Sequence, residues 1–285
     1  MNGLMTAVAL VTCLTMPEPD PDEPVLLDAV RARGLDAAMV AWDDESVDFG
    51  AYALVVVRST WNYLHRLDAF HAWAEAVGAK TKLVNDAATI RWNTDKIYLR
   101  DLEQRGIRVV PTEFIGRGAT SSLAALMDAR GWDRVVVKPR VSAGSFETYA
   151  FGREEAKEGV LARCCAERDV MVQPYVASVD DYGERSLVFV DGICSHAVRK
   201  SPRFAGGEER VDSVPIQSDE RAFAEALVRT LSPDLLYARV DLARDAAGAP
   251  MLMELELVEP SLFLRQGPEA TVRLVSAIER LATRR

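Results

Sequence analysis

Histidine and cysteine are scarce in this 285-residue chain, with three of the first and four of the second. His65 and His71 are wrongly spaced for one helix face and His196 falls in a hairpin strand, so they form no ligand set. Cys13, Cys164, Cys165 and Cys194 match no zinc spacing, and the adjacent pair is a strained choice for a disulfide. Reduced thiols in a cytoplasmic protein are the expectation. No Ser-His-Asp or Cys-His ordering marks a nucleophile. Long apolar runs are missing too, since none approaches the roughly 20 residues of a membrane helix. Residues 4–16 are apolar, but they lack a basic flank and run into Pro17-Glu18-Pro19-Asp20, which fits a buried strand and loop better than a secretory signal. Positive charge is in deficit. A net charge of −9 and a pI near 5.0 exclude a general nucleic-acid or anionic-membrane binder, and any phosphate ligand must find local basic residues. No glycine fingerprint follows the first apolar strand, which argues against a dinucleotide site.

What is present is globular: 49% hydrophobic and 27% charged residues, without repeats or low-complexity segments. Residues 1–92 alternate strand and helix, with strands expected at 7–14, 38–41, 54–57 and 83–84 and helices at 24–33 and 67–77. This rhythm implies an α/β front domain with a small parallel sheet. Its ligands would sit beyond the carboxyl ends of the strands, where Arg58-Ser59-Thr60-Trp61-Asn62-Tyr63 follows Leu54-Val55-Val56-Val57. From residue 93 the pattern becomes α+β. A helix is expected at 94–105 and strands at 107–110, 134–139, 148–151 and 170–174, with helices at 121–129 and 154–166 between them. After Pro174 the strands read as antiparallel. Those at 186–190 and 193–198 flank Asp191-Gly192, a type I′ hairpin signal. A helix at 220–230, two strands around a turn at 245–248 and a last helix at 269–282 complete the chain.

The last two strands carry the most chemistry. Arg239 and Asp241 share one face by alternation, as do Glu254 and Glu256, while Met251, Met253, Leu255 and Leu257 point to a core. Carboxylates presented together repel, and a hard divalent cation such as Mg²⁺, which takes one or two carboxylates plus substrate phosphates, would hold them. Two strands with ordinary polar faces explain these residues equally well when taken alone. Lys138-Pro139 ends a strand before the small-residue loop Ser142-Ala143-Gly144-Ser145, a place where a point charge and close backbone N–H groups suit phosphate. A plain lysine beside a turn is the simpler account of that string. Lys96, within the expected helix, reads as a solvated lysine. Gln173-Pro174-Tyr175-Val176 leaves a strand as a stiff linker able to offer backbone groups to a purine edge. Asp180 and Asp181 are in place for a ribose, or simply solvated. Arg199-Lys200, Arg203 and Arg210, the last after Gly206-Gly207, are local cations suited to phosphate or a substrate carboxylate.

In this order the strings resemble the ATP-grasp superfamily over essentially the whole chain. The resemblance implies a parallel α/β front domain followed by an ATP-grasp fold of two α+β subdomains with antiparallel sheets, divided at 1–92, 93–172 and 173–285. It implies ATP phosphates on Lys96 and Lys138 with Lys200 and Ser145 assisting, adenine on Gln173, Pro174, Tyr175 and Val176, ribose near Asp181, and Mg²⁺ (or Mn²⁺) on Asp241, Glu254 and Glu256. Arg58, Arg199 and Arg239 are the catalytic candidates, the first two gripping a substrate carboxylate or the developing acyl phosphate, with Trp61 and Tyr63 shaping the pocket. The third metal position is usually asparagine in the superfamily, and here it is Glu256.

Four strings are closer to the bacterial group that includes the D-cycloserine-forming cyclo-ligase: Val57 to Tyr63, Arg91-Trp92-Asn93-Thr94-Asp95-Lys96, Gly183-Glu184-Arg185-Ser186-Leu187, and Glu256-Leu257-Val258-Glu259-Pro260-Ser261-Leu262-Phe263. That similarity implies a monomeric or homodimeric ligase acting on a small-molecule carboxylate, with closure of O-ureido-D-serine to D-cycloserine as the specific expectation. An intermolecular carboxylate–amine ligase and a non-catalytic ATP-binding regulatory module are the alternatives.

Overall fold

The computed structural model describes residues 7–157, 159–201 and 210–284. The front domain holds β1 (Ala7–Thr12), α1 (Asp22–Ala32), β2 (Asp36–Ala41), β3 (Leu54–Val57), α2 (Leu67–Gly78) and β4 (Lys82–Val84), with the parallel sheet ordered β2-β1-β3-β4. The central strands β1 and β3 are apolar at successive positions because both faces are covered. Val8, Leu10, Leu54 and Val56 face one core, while Ala9, Val11, Val55 and Val57 face another with Phe70 and Val77 of α2. Burying each such side chain stabilises the fold by roughly 1.5–3 kcal/mol.

Two short helices follow, α3 (Ala87–Asn93) and α4 (Tyr98–Gln104), in place of the single helix expected at 94–105. The break has a local cause. Asp95 accepts from the Ile97 backbone N–H at 3.0 Å, and Asn93 spends both ends of its side chain on a distant strand. Lys96 therefore sits in a turn, 5% exposed, and is no solvated helix lysine.

The first antiparallel sheet comprises β5 (Glu113–Ile115), β6 (Arg134–Pro139), β7 (Tyr149–Gly152) and β8 (Val170–Pro174), in the order β5-β8-β6-β7, with α5 (Leu123–Arg130) and α6 (Val160–Cys164) packed on one side. The strand expected at 107–110 is reduced to one parallel bridge, Val109 to Leu252, and the helix expected at 154–166 to α6. After α7 (Ser178–Asp181) come β9 (Glu184–Val190), β10 (Ile193–Lys200), β11 (Val211–Val214), α8 (Ser218–Val228), β12 (Tyr237–Arg244) and β13 (Pro250–Glu256). They form the sheet β11-β10-β9-β12-β13, in which β11 was not anticipated. The β9–β10 turn has φ of 53° at Asp191 and 75° at Gly192, the two positive values a type I′ turn requires.

One register detail corrects the simple alternation. Asp241 pairs with Glu254 but Leu242 pairs with Leu252, so Met253 is the extra residue of a β-bulge. Leu252 packs with Leu255 and Leu257 under the sheet, and Met253 turns to the opposite side, where it lines a cavity. The last helix, α9 (Pro268–Thr283), places Leu274, Val275 and Ile278 in the same core as β1, α1 and Val188 of β9. It thereby ties the front domain to the large sheet.

Candidate active site

The β12–β13 register puts Arg239 opposite Glu256 and Asp241 opposite Glu254, so four charged side chains meet on one face of the large sheet. Asp241 is 1% exposed and takes a forked contact from Arg239, Nε to Oδ1 at 2.9 Å and Nη2 to Oδ2 at 2.8 Å. Lys200, from the end of β10, reaches the same carboxylate at 2.9 Å and also pairs with Glu184 of β9. Arg239 pairs with Glu256 as well. Glu254 is held from two sides: Lys96 Nζ lies 3.1 Å from Oε1, and Lys138 Nζ lies 3.2 Å from Oε2. Lys96 also donates to the Ser142 carbonyl at 2.8 Å, joining the α3–α4 turn to the small-residue loop.

These partners decide the charge states. Burial raises the Glu254 carboxyl, but Lys138 and Lys96 outweigh it and bring the pKa down to about 2. Burial likewise opposes ionisation of Asp241, and Arg239 and Lys200 hold it well below the usual carboxylate range. Glu256 behaves differently. Burial raises it to about 8, with Asp241 and Glu254 adding to the rise and Arg239 resisting it.

A cavity opens above this row. Its other walls are Val136 and Lys138 of β6, Ser142, Ala143, Gly144 and Ser145, the linker Gln173-Pro174-Tyr175-Val176, and Trp61, Tyr63 and Lys96 from the front. Val110, Val136, Val176 and Val179 give the cavity an apolar component suited to a flat ring. The linker is fixed by the Tyr175 N–H donating to the Arg134 carbonyl at 2.8 Å, with the Arg134 guanidinium 3.8 Å from the Tyr175 ring centre. In the loop, Gly144 and Ser145 have φ of 59° and 60°, a left-handed bend that suits glycine better than serine.

The structure thus brings together Lys96, Lys138, Ser145, Gln173, Pro174, Tyr175, Val176, Lys200, Arg239, Asp241, Glu254 and Glu256. Three expected residues are elsewhere. Arg58 is 2% exposed beneath the cavity, donating to the Pro260 carbonyl at 2.8 Å and stacked 5.0 Å from the Tyr237 ring. Alternation turns Arg199 away from Lys200; it pairs with Asp212 at 3.0 Å and packs over Gly183. Asp181 is exposed at the end of α7 and does not line the cavity. Arg203 and Gly206-Gly207 lie outside the described residues. Sequence reasoning gave no role to Glu184, Tyr98, Glu259 or Ser261, all of which line the cavity. Glu184 was legible in principle, because it begins the strand beside β12 and alternates into register with Ser186, the partner of Asp241.

Among the described residues no three carboxylates, cysteines or histidines close into a metal cage. The donor set nonetheless fits Mg²⁺, which keeps water and substrate phosphates in its shell and seldom relies on an all-protein cage. No helix among the described residues is long and apolar enough to cross a membrane.

A parallel front domain, two antiparallel sheets and a lysine-flanked carboxylate row between them define the ATP-grasp fold. The same fold is found in the ATP-grasp ligase PsnB complexed with minimal precursor, Mg and ADP, at a TM-score of 0.65 and 17% identity over 99% of this chain and all of that one. Residues 8–85 match the family model for the N-terminal domain of D-cycloserine synthetase DcsG. The cycloserine biosynthesis protein DcsG of Streptomyces lavendulae is 36% identical over 298 residues, covering 97% of this chain and 99% of that protein. The crystal structure of D-cycloserine synthetase DcsG superposes with a TM-score of 0.86 at 34% identity, over 96% of this chain and 99% of its own. The chain belongs to the DcsG family.

Proposed function

We propose that the chain is an ATP-dependent ligase that phosphorylates the carboxylate of a small amino-acid-like substrate and lets a nitrogen displace the phosphate. Closure of O-ureido-D-serine to D-cycloserine, with loss of the carbamoyl part, is the particular reaction, supported by the 36% identity to DcsG across nearly the full length of both proteins. The observation that carries the catalytic reading is Glu254 held between Lys96 and Lys138 at the floor of the cavity. A carboxylate shared by two lysines is exchangeable: the ammonium groups can turn to phosphate oxygens and leave Glu254 to a cation.

Phosphoryl transfer needs positioning and charge stabilisation more than covalent chemistry from the protein. Asp241, Glu254 and Glu256 would hold Mg²⁺, or Mn²⁺ with its similar taste for oxygen, and the bound ion would neutralise charge on the phosphates. Lys96 and Lys138 would neutralise the same phosphate charge. The linker 173–176 holds adenine by its backbone groups between the valines, and Ser145 closes the loop over the phosphates. Lys200, fixed by Asp241 and Glu184, adds a further positive charge at the far end of the row. Of the three candidate arginines only Arg239 lines the cavity, so gripping the substrate carboxylate and the acyl phosphate falls to it. Asp241 keeps that guanidinium aimed and charged, since its pull and that of Glu256 overcome the burial that would otherwise lower the Arg239 pKa.

The test is incubation with O-ureido-D-serine, ATP and Mg²⁺, following ADP and ring product together. Equal amounts of both are expected from the wild-type chain, with large losses in Lys138→Ala and Glu254→Ala. Rates like the wild type in both variants would overturn the ligase reading. ADP release that depends on a second amine would move the assignment to an intermolecular ligase. Calorimetric ATP binding without turnover of any carboxylate would leave a non-catalytic module.

A further inference from the structure

One carboxylate just past β13 stands apart from the four on the large sheet. Glu184, Asp241, Glu254 and Glu256 each pair with a lysine or arginine, whereas Glu259 lines the same cavity without a cationic partner among the described residues. Its side chain meets the Tyr63 hydroxyl instead, and its own backbone carbonyl accepts from Trp61 Nε1 at 3.0 Å. The backbone around it is pinned at every step. Tyr237 donates to the Val258 carbonyl at 2.9 Å, Arg58 to that of Pro260 at 2.8 Å and Arg239 to that of Ser261 at 3.3 Å, while Asp22 accepts from the Leu262 N–H at 2.7 Å. A carboxylate on so rigid a mount, free of a salt bridge and facing the reacting face, is built to take and return a proton.

We propose that Glu259 is the general base of the ligation step, with Tyr63 positioning it. The inference rests on the ligase reading above. The substrate nitrogen attacks the carbonyl carbon of the acyl phosphate, so that a C–N bond forms and the C–O bond to phosphate breaks. The N–H proton passes to the Glu259 carboxylate, and phosphate leaves with the electron pair of the broken bond. Glu259 then returns the proton to the departing phosphate, which ends as inorganic phosphate, and the carboxylate is restored. With O-ureido-D-serine the ring so formed still carries the carbamoyl group on nitrogen, and water cleaves that N–C bond, releasing carbon dioxide and ammonia and leaving N–H on the ring.

The electrostatics agree with the geometry. Burial pushes Glu259 up to about 7, against the hydrogen bond from Tyr63 and the charges of Lys96 and Arg239, with Glu254 adding to the rise. A base that titrates near the working pH balances availability against strength.

The experiment separates acyl phosphate formation from ligation, using hydroxylamine to trap the acyl phosphate as a hydroxamate. Glu259→Gln should lower ring formation by about 100-fold or more, the usual worth of a positioned base, while hydroxamate yield stays within about threefold of the wild type. Tyr63→Phe should keep much of the activity and move the acidic limb of the kcat profile to higher pH, because the hydroxyl that lowers the Glu259 pKa is gone. Wild-type ring formation in Glu259→Gln overturns the proposal, and so does an equal loss of ring product and hydroxamate. A wild-type chain that forms neither ADP nor hydroxamate refutes the ligase reading itself, and the proposal falls with it.

Discussion

Asn85 ties the front domain to the large sheet, and replacing it with alanine tests how much that tie contributes. Its side-chain amide donates to the carbonyls of Tyr237 at 2.9 Å and Leu257 at 2.7 Å, and its oxygen accepts from the Leu236 N–H at 2.9 Å. The residue is 3% exposed, so Asn85→Ala leaves three buried backbone groups without partners. Each orphaned group costs about 1–3 kcal/mol, and water entering the vacated space favours the low end, for a total of about 3–6 kcal/mol. Asn85 also has a φ of 54°, a left-handed conformation in which alanine is worse than asparagine by about 1 kcal/mol. Against a typical net stability of 5–15 kcal/mol, this variant should be severely weakened. Equilibrium urea unfolding reads the loss directly, provided the m-value is unchanged. Asn85→Gly removes the same hydrogen bonds without the backbone conflict, so it should be less damaged than alanine by about the strain term. A loss below about 1 kcal/mol in Asn85→Ala would refute the reasoning, since even one orphaned group should cost that much.

Two further predictions concern charge. Asp20 is 4% exposed, and burial raises it to about 6 against the attraction of Arg58. The folded chain therefore binds this proton more tightly than the unfolded chain, whose aspartates titrate near 4, and stability from this group falls as pH rises from about 4 to 6. Asp20→Asn should raise the Tm at pH 7.5, by the equivalent of up to about 3 kcal/mol less what Arg58 loses, and should give no gain at pH 4. Equal shifts at both pH values would refute the assignment. Glu256→Asn installs the residue usual in the superfamily and removes from the proposed oxygen set a carboxyl that a bound cation would hold ionised. Half-saturating Mg²⁺ should rise several-fold in the ADP-release assay, since charge count tunes affinity in such sites, and an unchanged Mg²⁺ dependence would remove Glu256 from the ligand set.

Much of the fold was open to reading in the sequence because its signals are local. The unbroken apolar run Leu54-Val55-Val56-Val57 announced a strand covered on both faces, and Asp191-Gly192 announced its hairpin. Alternation put Arg239 with Asp241 and Glu254 with Glu256, and the register sets the two pairs directly opposite each other. It failed at Met253, because a bulge adds a residue and nothing in the side-chain pattern marks it. It failed also at Lys96, whose turn is set by Asn93 bonding to Leu255 and Leu257 more than 160 positions away.

The sequence by itself determined the order of elements, the identity of the charged side chains and which of them share a strand face. Those follow from periods of 2 and 3.6 residues, which any short window contains. Only the tertiary structure decided which charges meet. Arg58 reads as a substrate arginine at the end of a front strand, yet it is consumed by the Pro260 carbonyl 202 positions on. Glu259 reads as one acidic residue in a family string, yet it enters the cavity without a salt bridge to any described lysine or arginine. Pairing of this kind depends on distances of about 3 Å between segments brought together only when the three sheets close, and no local pattern encodes it.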